Sequence, residues 1–216
     1  MKLLIGNKAY SSWSLRPWIL MRHFDLPFEE EMVALYQPDT AERVRRFSKA
    51  GKLPVLVDGD IVVWESLAII DYMAERYPDR AIWPADRAAR AHARAAATEM
   101  HAGFQALRNR CGMNMRRVPK AIALDDAVTA DIARIVTLWT EARERFGAGG
   151  PFLYGAFSAA DAMYAPVVNR FHAYAIDVPP VVRAYMAAMM ALPAWQDWQR
   201  GADAEPWFHQ PYEAVE

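Results

Sequence analysis

A few short stretches of this sequence carry residues whose types and order can do chemistry. Tyr10-Ser11-Ser12-Trp13-Ser14 joins an apolar run to a helix-like run. A serine hydroxyl at the head of a helix can donate a hydrogen bond to an anion. Helix N-terminal fields and donors also lower a thiol's pKa by favouring its charged form. Together they would generate a sulfur nucleophile on a bound ligand at neutral pH, with no covalent chemistry on the protein. Glu65-Ser66 offers a second function. Ser66 sits where a helix N-cap belongs, and free N–H groups at the positive end of a helix dipole attract a carboxylate. Glu65 can accept from an ammonium group, so a ligand carrying both groups on one carbon fits the pair. Read alone, the pair is more simply a plain N-cap beside an exposed acid. In Gly51-Lys52-Leu53-Pro54-Val55 the proline enters a β-like run, which an edge position tolerates.

Other reactive residues carry less. Cys111 is the single cysteine and reads as a passive thiol near the end of a long helix. The five histidines, His101 among them, show no metal-ligand spacing such as H-E-x-x-H and read as packing or surface residues. Met113-Asn114-Met115-Arg116-Arg117 mixes flexible apolar side chains with fixed cations. Met113, Asn114 and Arg117 are candidate pocket residues for an anionic or polarised substrate, the alternative being a solvated loop. Trp13 with Trp207-Phe208 is a candidate apolar wall. Ser158 and Asp161 have the spacing of a capping box.

These stretches need elements to hold them. Lys2–Ile5 reads as a strand, and Ser14–Phe24 as a helix with Pro17 in its first turn, where a missing N–H costs little. Ser14 supplies its cap. Phe28–Leu35 reads as an acidic edge strand and Thr40–Phe47 as a short basic helix. Leu53–Val57 and Ile61–Val63 are strands joined by Asp58-Gly59-Asp60, which is hairpin chemistry. Ser66–Tyr77 is an amphipathic helix with Leu67, Ile70 and Met73 inward. The order is β-α-β-α-β-β-α. Beyond the proline-broken stretch Tyr77–Asp86 nearly everything reads as helix. One helix is expected over Arg87–Arg110, then Asp125–Phe146, a helix from Ser158 to about Tyr174, Val181–Ala191 and Pro193–Arg200. The tail from Gly201 has no clear period. The expected division is residues 1–78, a linker at 79–86, and residues 87–216.

Composition excludes several classes. The chain has 216 residues, 54% hydrophobic and 24% charged, an ordinary globular mixture. Lys+Arg total 25 against 26 Asp+Glu, so broad electrostatic capture of nucleic acid or an anionic membrane is not expected. No apolar run reaches the roughly 18 residues of a spanning helix, and the N-terminal apolar core is too short for a signal peptide. One cysteine forms no intrachain disulfide. A soluble protein of a reducing, cytoplasmic compartment is expected.

A β-α-β-α-β-β-α unit followed by an all-helical half, with Tyr10–Ser14, Leu53-Pro54 and Glu65-Ser66-Leu67-Ala68-Ile69 in register, resembles the cytosolic glutathione transferase family over essentially the whole chain. The resemblance implies a thioredoxin-like N-terminal domain binding glutathione, a helical C-terminal domain binding the second substrate, and a homodimer. It implies that Glu65 and Ser66 hold the γ-glutamyl group and that Leu53, before a cis Pro54, pairs with the cysteinyl backbone. It also implies that Lys52 reaches the glycyl carboxylate. Ser11 takes the catalytic position of the serine-type, zeta-like members, with Ser12 following. Tyr10 is the alternative donor, as in tyrosine-type members. Zeta-like members show Ser-Ser-Cys-Ser followed by an aromatic residue and Arg; here Trp13 replaces the cysteine and Leu15-Arg16-Pro17 follows.

Dithiol exchange through this loop is excluded, because the family's redox relatives carry C-x-x-C where this chain reads S-x-x-S. The expected activity is a glutathione S-transferase that adds the activated thiolate to a small electrophile, with glutathione as co-substrate and no metal. The alternatives are a glutathione-dependent cis–trans isomerase resembling maleylacetoacetate isomerase, for which Arg116-Arg117 are the candidate dicarboxylate cations, and a non-catalytic glutathione-binding module.

Overall fold

A four-residue apolar strand has its natural place inside a sheet, and Lys2–Ile5 (β1) lies there, with Leu3, Leu4 and Ile5 fully buried. The computed structural model describes residues 1–215. Glu29–Met32 (β2) runs parallel to β1, so the chain must cross over between them, and it does so through Ser12–His23 (α1). Thr40–Arg45 (α2) leads to Val55–Asp58 (β3), antiparallel to β1. Ile61–Trp64 (β4) pairs with β3 across a hairpin whose Gly59 holds φ at +60°. Ser66–Arg76 (α3) completes the thioredoxin-like unit, with sheet order β2-β1-β3-β4.

The strand period of two divides the core. Leu3, Ile5 and Leu56 join the main core with Leu15 and Ile19 of α1 and Ile69, Ile70 and Met73 of α3. Leu4 and Val55 point the other way, to Val33 and Val44. On α3 it is Ile69, rather than Leu67, that is fully buried beside Ile70. The acidic β2 lies at the edge, where charge discourages pairing with another chain.

The helical half comprises Arg87–Ala102 (α4), Gln105–Arg110 (α5), Asp126–Phe146 (α6), Ala159–Ala173 (α7), Pro180–Met190 (α8), Pro193–Asp203 (α9) and Gln210–Glu213 (α10). The central α7 is buried almost throughout and packs on α1, α4 and α8. Ser158 and Asp161 form its capping box. Buried Arg16 ties α1 to it by donating from Nε to the Met163 carbonyl at 2.9 Å. No helix among the described residues is long and apolar enough to cross a membrane.

The structure alters some expected boundaries. The first helix starts at Ser12, so Pro17 lies inside it, not in its first turn, and cannot donate to the Trp13 carbonyl. The expected helix over Arg87–Arg110 is broken: α4 ends at Gly103, and Phe104 takes a left-handed conformation with φ +57° before α5 begins. The tail forms the short α10.

Candidate active site

The loop between β1 and α1 carries the hydroxyls. It turns tightly, Tyr10 and Ser11 both donating their N–H groups to the Asn7 carbonyl. The helical half grips it. Trp198 Nε1 donates to the Lys8 carbonyl at 2.9 Å, and Met115 N–H donates to the Ala9 carbonyl at 3.0 Å. The Glu205 carboxylate accepts from Lys8 N–H at 2.5 Å and Ala9 N–H at 3.1 Å. Burial raises the Glu205 pKa, while the two backbone donors and nearby Arg116 work against that.

Ser11 is the N-cap residue of α1, yet its side chain caps nothing. Its Oγ lies 2.8 Å from Ser14 Oγ, which accepts the Gly6 N–H at 3.0 Å. Ser14 therefore does not supply the expected cap. Ser12 opens the helix beside Ser11 and is partly exposed. The Tyr10 hydroxyl is engaged on all sides: it donates to Glu213 Oε1 at 2.5 Å and accepts from Arg116 Nη2 at 2.6 Å and His209 N–H at 3.2 Å. Burial, then the bond to Glu213, raises its pKa.

The facing wall comes from the sheet side. Leu53-Pro54 is cis, and among the described residues the Leu53 N–H and C=O make no hydrogen bond within the chain. The third helix begins at Ser66, which makes Glu65 its N-cap residue, with φ +68°. The expected N-cap thus falls one residue earlier. Ser66 is buried, and its Oγ has no partner. Lys52, Leu53, Pro54, Glu65 and Ser66 surround one cleft of about 320 Å3, closed by Trp13, Trp64, His101 and Arg108. The cleft thus brings together every residue expected to hold glutathione.

A second cleft of about 370 Å3 adjoins it through shared Trp13, Lys52, Leu53 and Arg108. Tyr10, Ser11 and Ser12 line one side, while Tyr36, Gln105, Asn109, Arg170 and Tyr212 line others. Two guanidinium groups lie over the Trp13 ring, Arg16 Cζ at 4.0 Å and Arg108 Cζ at 4.6 Å, with the His101 ring edge-on at 5.3 Å. Among the described residues no acid lines this second cleft. Arg170 is buried, donates from Nε to the Cys111 carbonyl, and leaves Nη1 without a partner. Burial and then Arg108 lower its pKa to about 10, so it keeps its charge at neutral pH.

Met113, Asn114 and Arg117 line neither cleft. Met113 is in the core, and Arg117 lies over the Tyr174 ring at 4.6 Å. Buried Asn114 accepts from Arg116 N–H and donates to Glu213 Oε2. Arg116, expected as a substrate cation, is spent on Tyr10 and on the carbonyls of Glu205 and Trp207. Phe208 is 70% exposed and lies over Arg116, so the expected wall of Trp207-Phe208 is replaced by Tyr36 and Tyr212. Sequence reading passed over His101 as a packing residue and did not find Gln105, Arg108, Asn109 or Arg170. The signal for the α5 group was Gly103, the point where the helix turns. Burial pushes the Cys111 thiol up to about 11, so it stays protonated. No group of His, Cys, Asp and Glu able to hold a metal occurs among the described residues.

Comparisons with known proteins bear on the family and the fold. A family model described as glutathione S-transferase, N-terminal domain, matches residues 10–76, and one described as glutathione S-transferase, C-terminal domain, matches residues 125–198. A probable maleylacetoacetate isomerase from Caenorhabditis elegans is 33% identical over 102 residues, 47% of this chain and 47% of its own length, so the match spans about half of that relative. Glutathione S-transferase Z2 from Arabidopsis thaliana is 29% identical over 202 residues, 88% of this chain and 89% of that protein. Among solved structures, a Burkholderia glutathione transferase homolog with bound glutathione superposes with a TM-score of 0.69 at 24% identity. That match covers 94% of this chain and 98% of the other, a likeness of fold.

Proposed function

The chain belongs to the glutathione S-transferase family, and we propose that it activates the thiol of glutathione through Ser11 and delivers the thiolate to a small electrophile. The observation that carries this reading is the Ser66 hydroxyl, buried without a partner beside Glu65 in the wall of the smaller cleft. A buried polar group without a partner is costly, and a ligand carboxylate would satisfy it along with the first N–H groups of α3. Glu65 then takes the neighbouring ammonium, Leu53 pairs with the ligand backbone through its free N–H and C=O, and Lys52 takes the far carboxylate. Ser11, in the adjoining cleft, donates to the sulfur, with Ser12 next to it. The thiol proton leaves to solvent. The thiolate then forms a bond to an electrophilic carbon, and a leaving group departs with its electron pair or an activated double bond takes that pair up.

A second reading, glutathione-dependent cis–trans isomerisation, is favoured by the larger cleft. Arg108 and the unpaired Nη1 of Arg170 supply cations there with no acid to neutralise them, which suits an anionic acceptor. In that reaction the thiolate adds to a double bond, the resulting single bond rotates, and the thiolate leaves. Residues 1–78 serve as the glutathione domain and residues 87–216 as the substrate domain, joined by 79–86. Action in the cytoplasm and a homodimer belong to the same proposal; for the dimer, the half-exposed Ile61 and Trp64 on β4 offer apolar surface to a second copy.

The reading is tested by assaying glutathione turnover with an activated aryl chloride and with a cis-enone carboxylate, alongside calorimetry of glutathione binding to wild type and Ser66→Ala. Turnover with either electrophile, and weaker binding to the variant, are expected. Tight glutathione binding with no turnover of any electrophile would favour a non-catalytic binding module.

A further inference from the structure

We infer that Ser14 is a positioning residue for thiol activation, holding Ser11 as a hydrogen-bond donor through a chain from the Gly6 N–H to Ser14 to Ser11; this rests on the proposed role of Ser11. Ser14 is fully buried in the first turn of α1 and lines neither cleft. A serine inside a helix ordinarily bonds back to its own helix or faces water. Ser14 does neither. Its Oγ accepts from Gly6 N–H at 3.0 Å and stands 2.8 Å from Ser11 Oγ.

A hydroxyl has one proton and two lone pairs. The Gly6 N–H, fixed by the backbone, occupies one lone pair of Ser14. Between the two serines a single proton can bridge, and it can come from either side. Without an anion, the Ser11 proton is free to bridge to Ser14. With a thiolate nearby, the Ser11 proton must turn to the sulfur. The 2.8 Å contact then survives only if Ser14 turns its own proton to Ser11 Oγ. Both states use the same oxygen positions, so switching needs two hydroxyl rotations and no movement of heavy atoms. In the second state Ser11 accepts from Ser14 while donating to sulfur, and linked hydrogen bonds polarise and strengthen one another. The contact also restrains the Ser11 side chain, which otherwise has staggered alternatives.

Gly6 keeps the space open. A Cβ there would lie 3.0 Å from Ser11 Oγ and 2.7 Å from Leu35 Cδ1. Tyr10 is absent from the chain of bonds, because its proton goes to Glu213 at the other side of the loop.

The test is the pKa of enzyme-bound glutathione thiol, read by ultraviolet difference absorbance, in wild type, Ser11→Ala, Ser14→Ala, Ser14→Cys and the Ser11→Ala/Ser14→Ala double variant. The same proteins are assayed for kcat/KM toward the electrophile at saturating glutathione across pH, and for binding of S-methylglutathione, which has no thiol to ionise. Ser14→Ala is expected to raise the thiol pKa by about 0.5–1 unit, with a matching three- to tenfold fall in kcat/KM on the acid limb. Ser14→Cys, which keeps a weak donor of similar size, should fall between wild type and Ser14→Ala, and it carries the test if the alanine variant does not fold. S-methylglutathione binding should not change. Adding Ser14→Ala to Ser11→Ala should shift the thiol pKa no further, because Ser14 acts through Ser11.

A rise with Ser11→Ala but none with Ser14→Ala overturns this inference and leaves the role of Ser11 standing. No rise with Ser11→Ala overturns that role, and the inference with it. Equal weakening of S-methylglutathione binding and turnover in Ser14→Ala, or additive shifts in the double variant, would assign Ser14 to packing alone.

Discussion

Tyr10 and Ser11 are adjacent hydroxyls with opposite commitments. The Tyr10 proton is held by Glu213, while its oxygen takes Arg116 and the His209 N–H. The Ser11 proton meets only another hydroxyl, an exchangeable partner. Sequence spacing could not separate these donors, because they are neighbours in one loop and their difference lies in contacts with residues 114–213. The same limit explains the cations. Arg116-Arg117 stood out as a pair in the sequence, whereas Arg108 and Arg170 lie far apart in it and meet only in the folded chain. Arg170→Gln is expected to lower kcat/KM for an anionic electrophile by about ten- to a hundredfold, the worth of a hydrogen bond to a charged group, and to spare a neutral one. Steady-state kinetics with a matched electrophile pair checks this, and equal losses for both would remove Arg170 from substrate binding.

At the scale of elements, the β-α-β-α-β-β-α order could be read from residue patterns because each strand is bounded by polar or glycine-containing turns and each helix has an apolar face. The break between α4 and α5 could not. Met100, Phe104 and Leu107 keep a helical spacing straight through it, and a single glycine is tolerated inside a helix. The left-handed Phe104 is fixed by burial of its own side chain in the core, a tertiary effect. The break turns Gln105, Arg108 and Asn109 toward the larger cleft. A Cβ on Gly103 would lie 2.8 Å from the Glu99 carbonyl oxygen. Gly103→Ala is therefore expected to destabilise the fold by about 1–3 kcal/mol, as other overpacked sites do. It should also raise KM for the electrophile more than KM for glutathione. Urea unfolding and two-substrate kinetics measure both; a change confined to glutathione would show that the break serves the other cleft. The capping box at Ser158 and Asp161, by contrast, was legible because it is a local motif that needs only one helix turn.

Across the whole molecule, the helical half does more than wall the clefts. Trp198, Glu205 and Met115 hold residues 8 and 9 of the loop between β1 and α1, so the placement of Ser11 depends on segments far away in the chain. Glu205 lies in the tail that had no readable period, and nothing in its local sequence marks it as a clamp. Glu205→Ala leaves two backbone N–H groups without their acceptor, at about 1–3 kcal/mol each. A lower midpoint in urea and a fall in kcat are expected, with glutathione KM nearly kept because its cleft is built from other residues. An unchanged kcat would mean that the loop holds its shape without the clamp.

The proposed ionisation of bound glutathione by Ser11 is decided by the pH titration of its ultraviolet thiolate band in wild type, Ser11→Ala and Tyr10→Phe. In wild type the band is expected well below the free thiol value of about 8.5. A rise of about one to two units is expected in Ser11→Ala, the worth of one charged hydrogen bond, and little change in Tyr10→Phe. A band that stays in place in Ser11→Ala, or moves in Tyr10→Phe instead, would contradict the role of Ser11.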